Sequence, residues 1–230
     1  MFSLTHLSDV VRISPEHFEA GEKGTAGPLC MPHHEALIHV LSTKYVGKVV
    51  QQCGLAITVK EVLHVDLSFI VPGDGASWTK VHFLLVVFRP LPGTILTGFI
   101  TRQDIHGISI SLGIHDDVIV TVPSQNLRRE CVYESWRQSY VWLDTNLETG
   151  EKHELYFVKH AIVRCSVVEV LFRETEEGGD TSGSDSHRAA PRSRGEREGG
   201  GEGRTHRARW TMVLKCAMDK DGLGLEEWWV

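Results

Sequence analysis

A small α+β unit over residues 1–80, followed by an all-β unit over 81–230, is the fold class that the sequence predicts. Three observations carry it. The first 80 residues hold one short helical apolar pattern among strand-like runs. From residue 81 the patterning is that of short strands separated by Gly, Asp and Pro. Between the last two strand patterns lies Arg173–Arg209, with eight glycines and no large apolar side chain.

Leu4–Ile13 alternates and reads as the first strand, stopped by Ser14-Pro15-Glu16. Gly21–Pro32 is turn-rich and reads as a flexible loop. Leu37, Val40, Leu41 and Tyr45 then fall on one helical face, and Gly47 is the expected stop. Leu55–Val59 and Val65–Val71 are strand-like. Pro72–Ser77 reads as a tight glycine turn between the two units, with Asp74 capping it. Val81–Arg89 is apolar at consecutive positions, as a strand buried on both faces would be. Thr94–Thr101, Gly107–Leu112, Asp117–Val122, His153–Val158, Ile162–Phe172 and Trp210–Ala217 complete the strands. Their number and spacing suit a sandwich or a small barrel. Arg173–Arg209 cannot bury enough surface to offset its ordering entropy and is expected to be a disordered insertion, a solvated spacer with arginines able to touch RNA or an acidic partner.

Composition narrows the function. The chain has 230 residues and a net charge of −6, which does not favour nucleic acid overall. Five scattered cysteines without a C-x-x-C point to a reducing compartment rather than a disulfide framework. No apolar run approaches the ~20 residues of a membrane helix, and the N-terminal stretch lacks the cationic head of a secretory signal. No membrane association is expected.

The motifs of catalysis are absent. The glycines at 73 and 75 are followed by Trp78 and a strand, not by a third glycine and a helix, so they do not form a nucleotide loop. Cys30, His33, His34 and Glu35 lack a second ligand pair at zinc spacing. Asp116 and Asp117 are adjacent and would point to opposite faces of a strand, which leaves a small hydrolase without a converging third group. No G-x-S-x-G elbow or H-E-x-x-H is present. No catalytic residue, metal or cofactor is therefore expected.

Four stretches carry a resemblance. "VPGDGASWTKVHFLLVVFRP" (71–90), "LSDVVRISPEHF" (7–18), "GTILTGFITRQDIHGISISLGIHDDVIVTVPSQNL" (93–127) and "DGLGLEEWW" (221–229) together resemble the stalk subunit of eukaryotic DNA-directed RNA polymerase III. That family includes the archaeal counterpart of this stalk protein and the polymerase II stalk subunit. Leu112-Gly113, Asp116-Asp117 and the double-tryptophan ending favour the polymerase III member. The resemblance covers most of 4–18, 37–172 and 210–229. Gly21–Pro32 departs from it, standing where the family starts a helix, and the 173–209 insertion is unusually long and arginine-rich.

The resemblance implies an N-terminal polymerase-docking domain and an S1-like OB barrel. It implies a nuclear protein, a second, helical stalk subunit as heterodimer partner, the polymerase III core as host, and support of initiation on genes for small RNAs such as transfer RNA and 5S ribosomal RNA. It also implies weak contact with nascent RNA. On an OB face the candidates for that contact are Phe99, Arg102, His106 and His115; Phe99 could equally be core, and His106 a turn residue. Residues 81–172 carry eight Lys and Arg against ten Asp and Glu, which argues against tight binding. Trp78, Trp228 and Trp229 are the partner-binding candidates, the last two alternatively folding back over the barrel end. The rival readings are a free-standing single-stranded-RNA-binding OB protein and the stalk subunit of another nuclear polymerase.

Overall fold

A computed structural model describes residues 1–15, 33–145, 152–175 and 209–229. Strand β1 (Phe2–Ile13) alternates, burying Val11 and Ile13. Helix α1 (His33–Tyr45) packs Ala36, Leu37 and Leu41 inward. Gly47 takes φ +75° just beyond the helix, and Lys48 Nζ donates to the carbonyls of Lys44 (2.9 Å) and Thr43 (3.3 Å), which the helix end leaves without partners. β2 (Val49–Val50), β3 (Gly54–Val65), β4 (Phe69–Ile70) and β5 (Ser77–Phe88) complete a sheet of order β1-β5-β3-β2, with β4 on a further stretch of β5. One face of this sheet packs on α1 through Val11, Ile13, Leu37, Leu41, Phe83 and Leu85. The helix lies on that side, since Tyr45 meets Phe83 and its hydroxyl reaches Asp9 of β1.

Two strands of this sheet differ sharply in regularity. β1 and β5 match without a shift from Phe2↔Phe88 to Ile13↔Ser77. β3 slips against β5 three times, skipping Ile57, Lys60 and Leu63. Its inward residues are then Ala56, Val59, Val62 and Val65, every third position rather than every second.

The expected strands at 55–59 and 65–71 are thus corrected to one long β3 and a two-residue β4. β5 begins at Ser77 rather than Val81, because Ser77 and Thr79 alternate inward ahead of Val81. The glycine cluster therefore turns β4 into β5 inside the first sheet, and Trp78 is a strand residue. A boundary between 80 and 81 falls within β5. The chain passes to the second assembly at Arg89–Thr94, "RPLPGT".

That assembly comprises β6 (Ile95–Asp104), β7 (Gly107–Ser111), β8 (Val118–Pro123), β9 (Cys131–Glu134), β10 (Ser139–Thr145), β11 (Lys152–Tyr156), β12 (Ile162–Thr175), β13 (Arg209–Ala217) and β14 (Gly224–Leu225). Its main sheet runs β13-β8-β7-β6-β12-β14, and β12 also pairs with β13. Five strands therefore close into a ring, antiparallel throughout except for β8 with β13. β9, β10 and β11 form a separate three-stranded sheet.

The expected insertion at 173–209 is shortened at both ends. Arg173, Glu174, Thr175 and Arg209 are strand residues, paired as Arg173↔Thr211 and Thr175↔Arg209. Residues 176–208, like 16–32 in which the loop Gly21–Pro32 is expected, lie outside the described residues. The ring core includes Ile100, Ile108, Val120, Val122, Met212 and Leu214. Val49, Leu55 and Phe88 of the first sheet belong to the same cluster, so the two assemblies share apolar packing rather than only a connecting segment.

Candidate functional site

The outer surface of the ring at β6, β7 and β8 is the candidate nucleic-acid face. Strand alternation sends Leu96, Gly98 and Ile100 inward and leaves Phe99 48% exposed. Phe99 pairs with Ser111 on one side and Ile162 on the other. A bulge after Ile100 then brings Arg102 opposite Ser109. Its guanidinium is well exposed, 3.6 Å from Asp104. Ser109, Ser111, Ile119 and Thr121 are the neighbouring outward residues, so Arg102 is the one cation among these seven side chains. The surface offers a stacking ring and hydroxyls, with little to neutralise phosphate.

The other two candidates lie apart. His106 sits in the β6–β7 turn, where Asp104 Oδ1 accepts from its N–H (2.9 Å) and from that of Gly107 (3.2 Å), and its carbonyl accepts from Ser124. It is a turn residue. His115 lies beyond the opposite end of β7. Its Nδ1 accepts from the Asp117 N–H at 3.2 Å. It helps line a cleft of ≈ 610 Å³ between the assemblies, together with Lys44, Tyr45, Lys48 and Trp210. The four residues therefore divide into one pair on the ring surface and two separate positions.

Asp117 is largely buried and is held by Arg209 through Nε (3.0 Å) and Nη2 (2.7 Å). This pair fixes the start of β13 to the start of β8, and Met212 N–H donates to the Asp117 carbonyl. Asp117 is thus a structural fastener rather than half of an acid–base dyad. Among the described residues no three His, Cys, Asp or Glu side chains converge as metal ligands; Cys30 lies outside them. Burial pushes the Cys131 thiol up to about 11. The Cys216 thiol is also raised, by its hydrogen bond to Cys165 and by burial. Neither is activated as a nucleophile at neutral pH. No described helix is long and apolar enough to cross a membrane.

The tryptophans divide as well. Trp78 is half-buried, and its Nε1 donates to Asp74 (3.0 Å), which also accepts from Arg12 Nε (3.0 Å) and Nη2 (2.6 Å). The Arg12 bonds, with help from Trp78, hold the Asp74 carboxyl below the usual carboxylate range. Asp74 thereby ties its turn to β1 and β5. Trp228 folds back, edge-on to Phe157 at 4.7 Å and 5.3 Å from Trp142. Trp229 is 39% exposed, with its Nε1 donating to Leu223. Arg128 lies over both the Trp142 ring (4.4 Å) and the Trp229 ring (5.3 Å) and pairs with Asp221 at 2.7 Å. The C-terminal segment is thereby stapled to the second assembly, with one face of Trp229 left to solvent.

Sequence reasoning does not find a further aromatic surface. Arg137, in the β9–β10 turn, lies 4.4 Å from both the Trp136 and Tyr156 rings, and Trp136 is 75% exposed. The signal available is the pair Trp136-Arg137 between two apolar stretches, without a glycine or proline to mark a turn.

Comparison with known proteins gives these surfaces a family. Residues 94–229 match the family described as RNA polymerase III subunit Rpc25. Residues 8–75 match the SHS2 domain found in the N terminus of Rpb7p and Rpc25p. The chain is 30% identical over 229 residues to the DNA-directed RNA polymerase III subunit rpc8 of Schizosaccharomyces pombe, covering all of both chains. It is 30% identical over 232 residues to RPC8 of Bos taurus, covering all of this chain and 98% of that one. It is 25% identical over 119 residues to the DNA-directed RNA polymerase subunit Rpo7 of Sulfolobus acidocaldarius, covering 52% of this chain and 59% of that one.

Proposed function

The chain belongs to the RNA polymerase III subunit Rpc25 family, and from that premise we propose that it is a non-catalytic stalk subunit of the nuclear enzyme, supporting initiation on genes for small RNAs such as transfer RNA and 5S ribosomal RNA. The observation that carries the reading is the family match over the ring assembly, joined to a full-length likeness to polymerase III subunits.

The architecture supports it. The five-stranded ring has the strand order and the parallel β8–β13 closure expected of an OB-type barrel. In this proposal the first sheet with α1 is the polymerase-docking part, and the barrel projects from it. The packing shared through Val49, Leu55 and Phe88 makes the two a stiff brace. A helical second stalk subunit pairs with the chain. Phe99 and Arg102 give nascent RNA a weak, sequence-tolerant contact. A free-standing RNA-binding protein would need more cations on that face than Arg102 supplies.

The test is affinity purification of the full chain, tagged at its natural locus, followed by mass spectrometry. Polymerase III subunits in equal amounts with the chain are expected. Recovery without polymerase, or with polymerase I or II alone, refutes the proposal.

A further inference from the structure

We propose that Trp136, in the turn of the β9–β10 hairpin, is a second base-stacking platform for single-stranded RNA, continuous with the face that carries Phe99 and Arg102. The inference rests on the chain contacting RNA through that face. The hairpin stands at the C-terminal end of β6. Gln103, next to Arg102, accepts a hydrogen bond from the Tyr140 N–H (2.9 Å) and donates one to the Phe157 carbonyl (2.7 Å). Ser139 Oγ donates to the same carbonyl at 2.7 Å. The turn Ser135–Gln138 therefore ends beside residues that β6 holds directly. The β11–β12 turn joins the same region. His160 N–H donates to the Ile100 carbonyl at 2.9 Å, which seats the exposed Lys159 close to β6 as well.

Trp136 is 75% exposed, yet it is held in place. Arg137 lies 4.4 Å from the Trp136 ring and 4.4 Å from the Tyr156 ring, so its guanidinium ties the turn to β11. Tyr156 is fixed in its turn, paired with Val141 and with its hydroxyl donating to Glu154 at 2.6 Å. One guanidinium covers one face of an indole, and the exposure of Trp136 leaves the other face open. A base stacks on such a ring without first having to order it, which lowers the cost of binding.

The surrounding charges decide the kind of ligand. Arg137 makes no ion pair among the described residues, but Glu134 and Glu154 both stand near Tyr156. The turn therefore adds little net positive charge, and stacking rather than phosphate neutralisation carries the contact. Stacking of this kind takes a single strand, whose bases are unpaired, and not a duplex, whose bases are covered. A protein partner would want apolar surface around the indole, whereas its neighbours in the turn, Ser135, Arg137 and Gln138, are polar.

Filter binding of the full chain in low salt, with oligouridylates of about 4 and about 16 nucleotides, the span of sites on such barrels, tests this. Trp136→Ala should melt with the wild type. It should weaken the longer RNA by roughly 5- to 150-fold, leave the shorter one unchanged, and keep the slope of log affinity against log salt. Phe99→Ala should weaken both lengths. Trp136→Tyr, which keeps a ring, should recover most of the lost affinity. Wild-type binding of the longer RNA by Trp136→Ala, while Phe99→Ala is impaired, overturns the platform and leaves the RNA face intact. Equal losses at both lengths, or no recovery by Trp136→Tyr, overturn it in favour of an indirect effect on the fold. A wild-type chain that binds neither length overturns the RNA contact, and this inference with it.

Discussion

Phe88 is the residue whose loss best tests whether the two assemblies act as one body. It ends β5 and is fully buried, with the Phe2 ring 5.6 Å away, yet its core cluster is that of the ring. Phe83, five residues earlier on the same strand and equally buried, belongs wholly to the first core and meets Tyr45 at 5.4 Å. Truncating either to alanine costs about 3–5 kcal/mol, because the transfer energy and a cavity term add. At about 2–4 °C per kcal/mol for a chain of this size, either should lower the melting temperature by roughly 6–20 °C. The two probes see different parts of the molecule. Five of the six tryptophans, all but Trp78, belong to the second assembly, so fluorescence reports mainly on the ring. If the shared core makes one cooperative body, Phe88→Ala should shift the fluorescence transition in denaturant and the far-UV dichroism transition together, and Phe83→Ala, whose cavity lies in the first core alone, should do the same. A fluorescence transition that Phe83→Ala leaves unmoved while dichroism shifts, or a loss under about 1 kcal/mol for Phe88→Ala, would refute the shared core as the coupling between the assemblies.

Other outcomes follow from single contacts. Gly98→Ala places a Cβ 2.6 Å from the Ser111 carbonyl oxygen and from Ile110 Cγ2; a loss of about 1–3 kcal/mol is expected, and denaturant unfolding at wild-type stability would contradict the close approach of β6 to β7. Asp74 has a depressed carboxyl in the folded chain, so its stabilising effect is present above the unfolded carboxylate range and is lost as pH falls through the folded value. Arg12→Gln should return the Asp74 carboxyl to its ordinary range in a carbon NMR titration, and an unmoved titration curve would dismiss the guanidinium as the cause. For single-stranded RNA, filter binding in low salt should show Phe99→Ala weaker by roughly 5- to 150-fold, the span of about 1–3 kcal/mol per stacked base. Arg102→Gln should reduce the slope of log affinity against log salt by about 0.7. If neither variant differs from wild type, RNA does not use this face.

The elements legible in the sequence are those with an undisturbed period. β1 and β7 alternate cleanly, and Leu37 and Leu41 mark the buried face of α1. β3 reads as a short strand because its bulges impose a three-residue spacing on Ala56, Val59 and Val62, which a search for alternation cannot follow. The β9–β10 hairpin escapes such a search because its turn, Ser135–Gln138, contains no glycine, proline or asparagine, and Gln138 itself takes the left-handed φ of 53°. Turn chemistry draws the junction to Gly73 and Gly75, although Pro90, Pro92 and Gly93 mark the true passage. Of the site residues, Phe99 is legible from alternation on β6, but Arg102 is not, because alternation would send it inward with Leu96 and Ile100 and the bulge after Ile100 turns it out. The ion pair of Asp117 with Arg209 is not, because it joins residues on either side of a long polar stretch.

The ring is closed by its last long strand, and this has a consequence for biosynthesis. β13 bonds to both β8 and β12, so neither can be satisfied until residues 209–217 have emerged from the ribosome. A nascent or prematurely terminated polypeptide would hold two bare strand margins in the crowded cell, the kind of surface on which aggregation starts. Synthesis of this subunit should therefore depend on chaperones until residues 209–217 are made, and a message truncated before that point should yield a product cleared by proteolysis rather than a partly working protein.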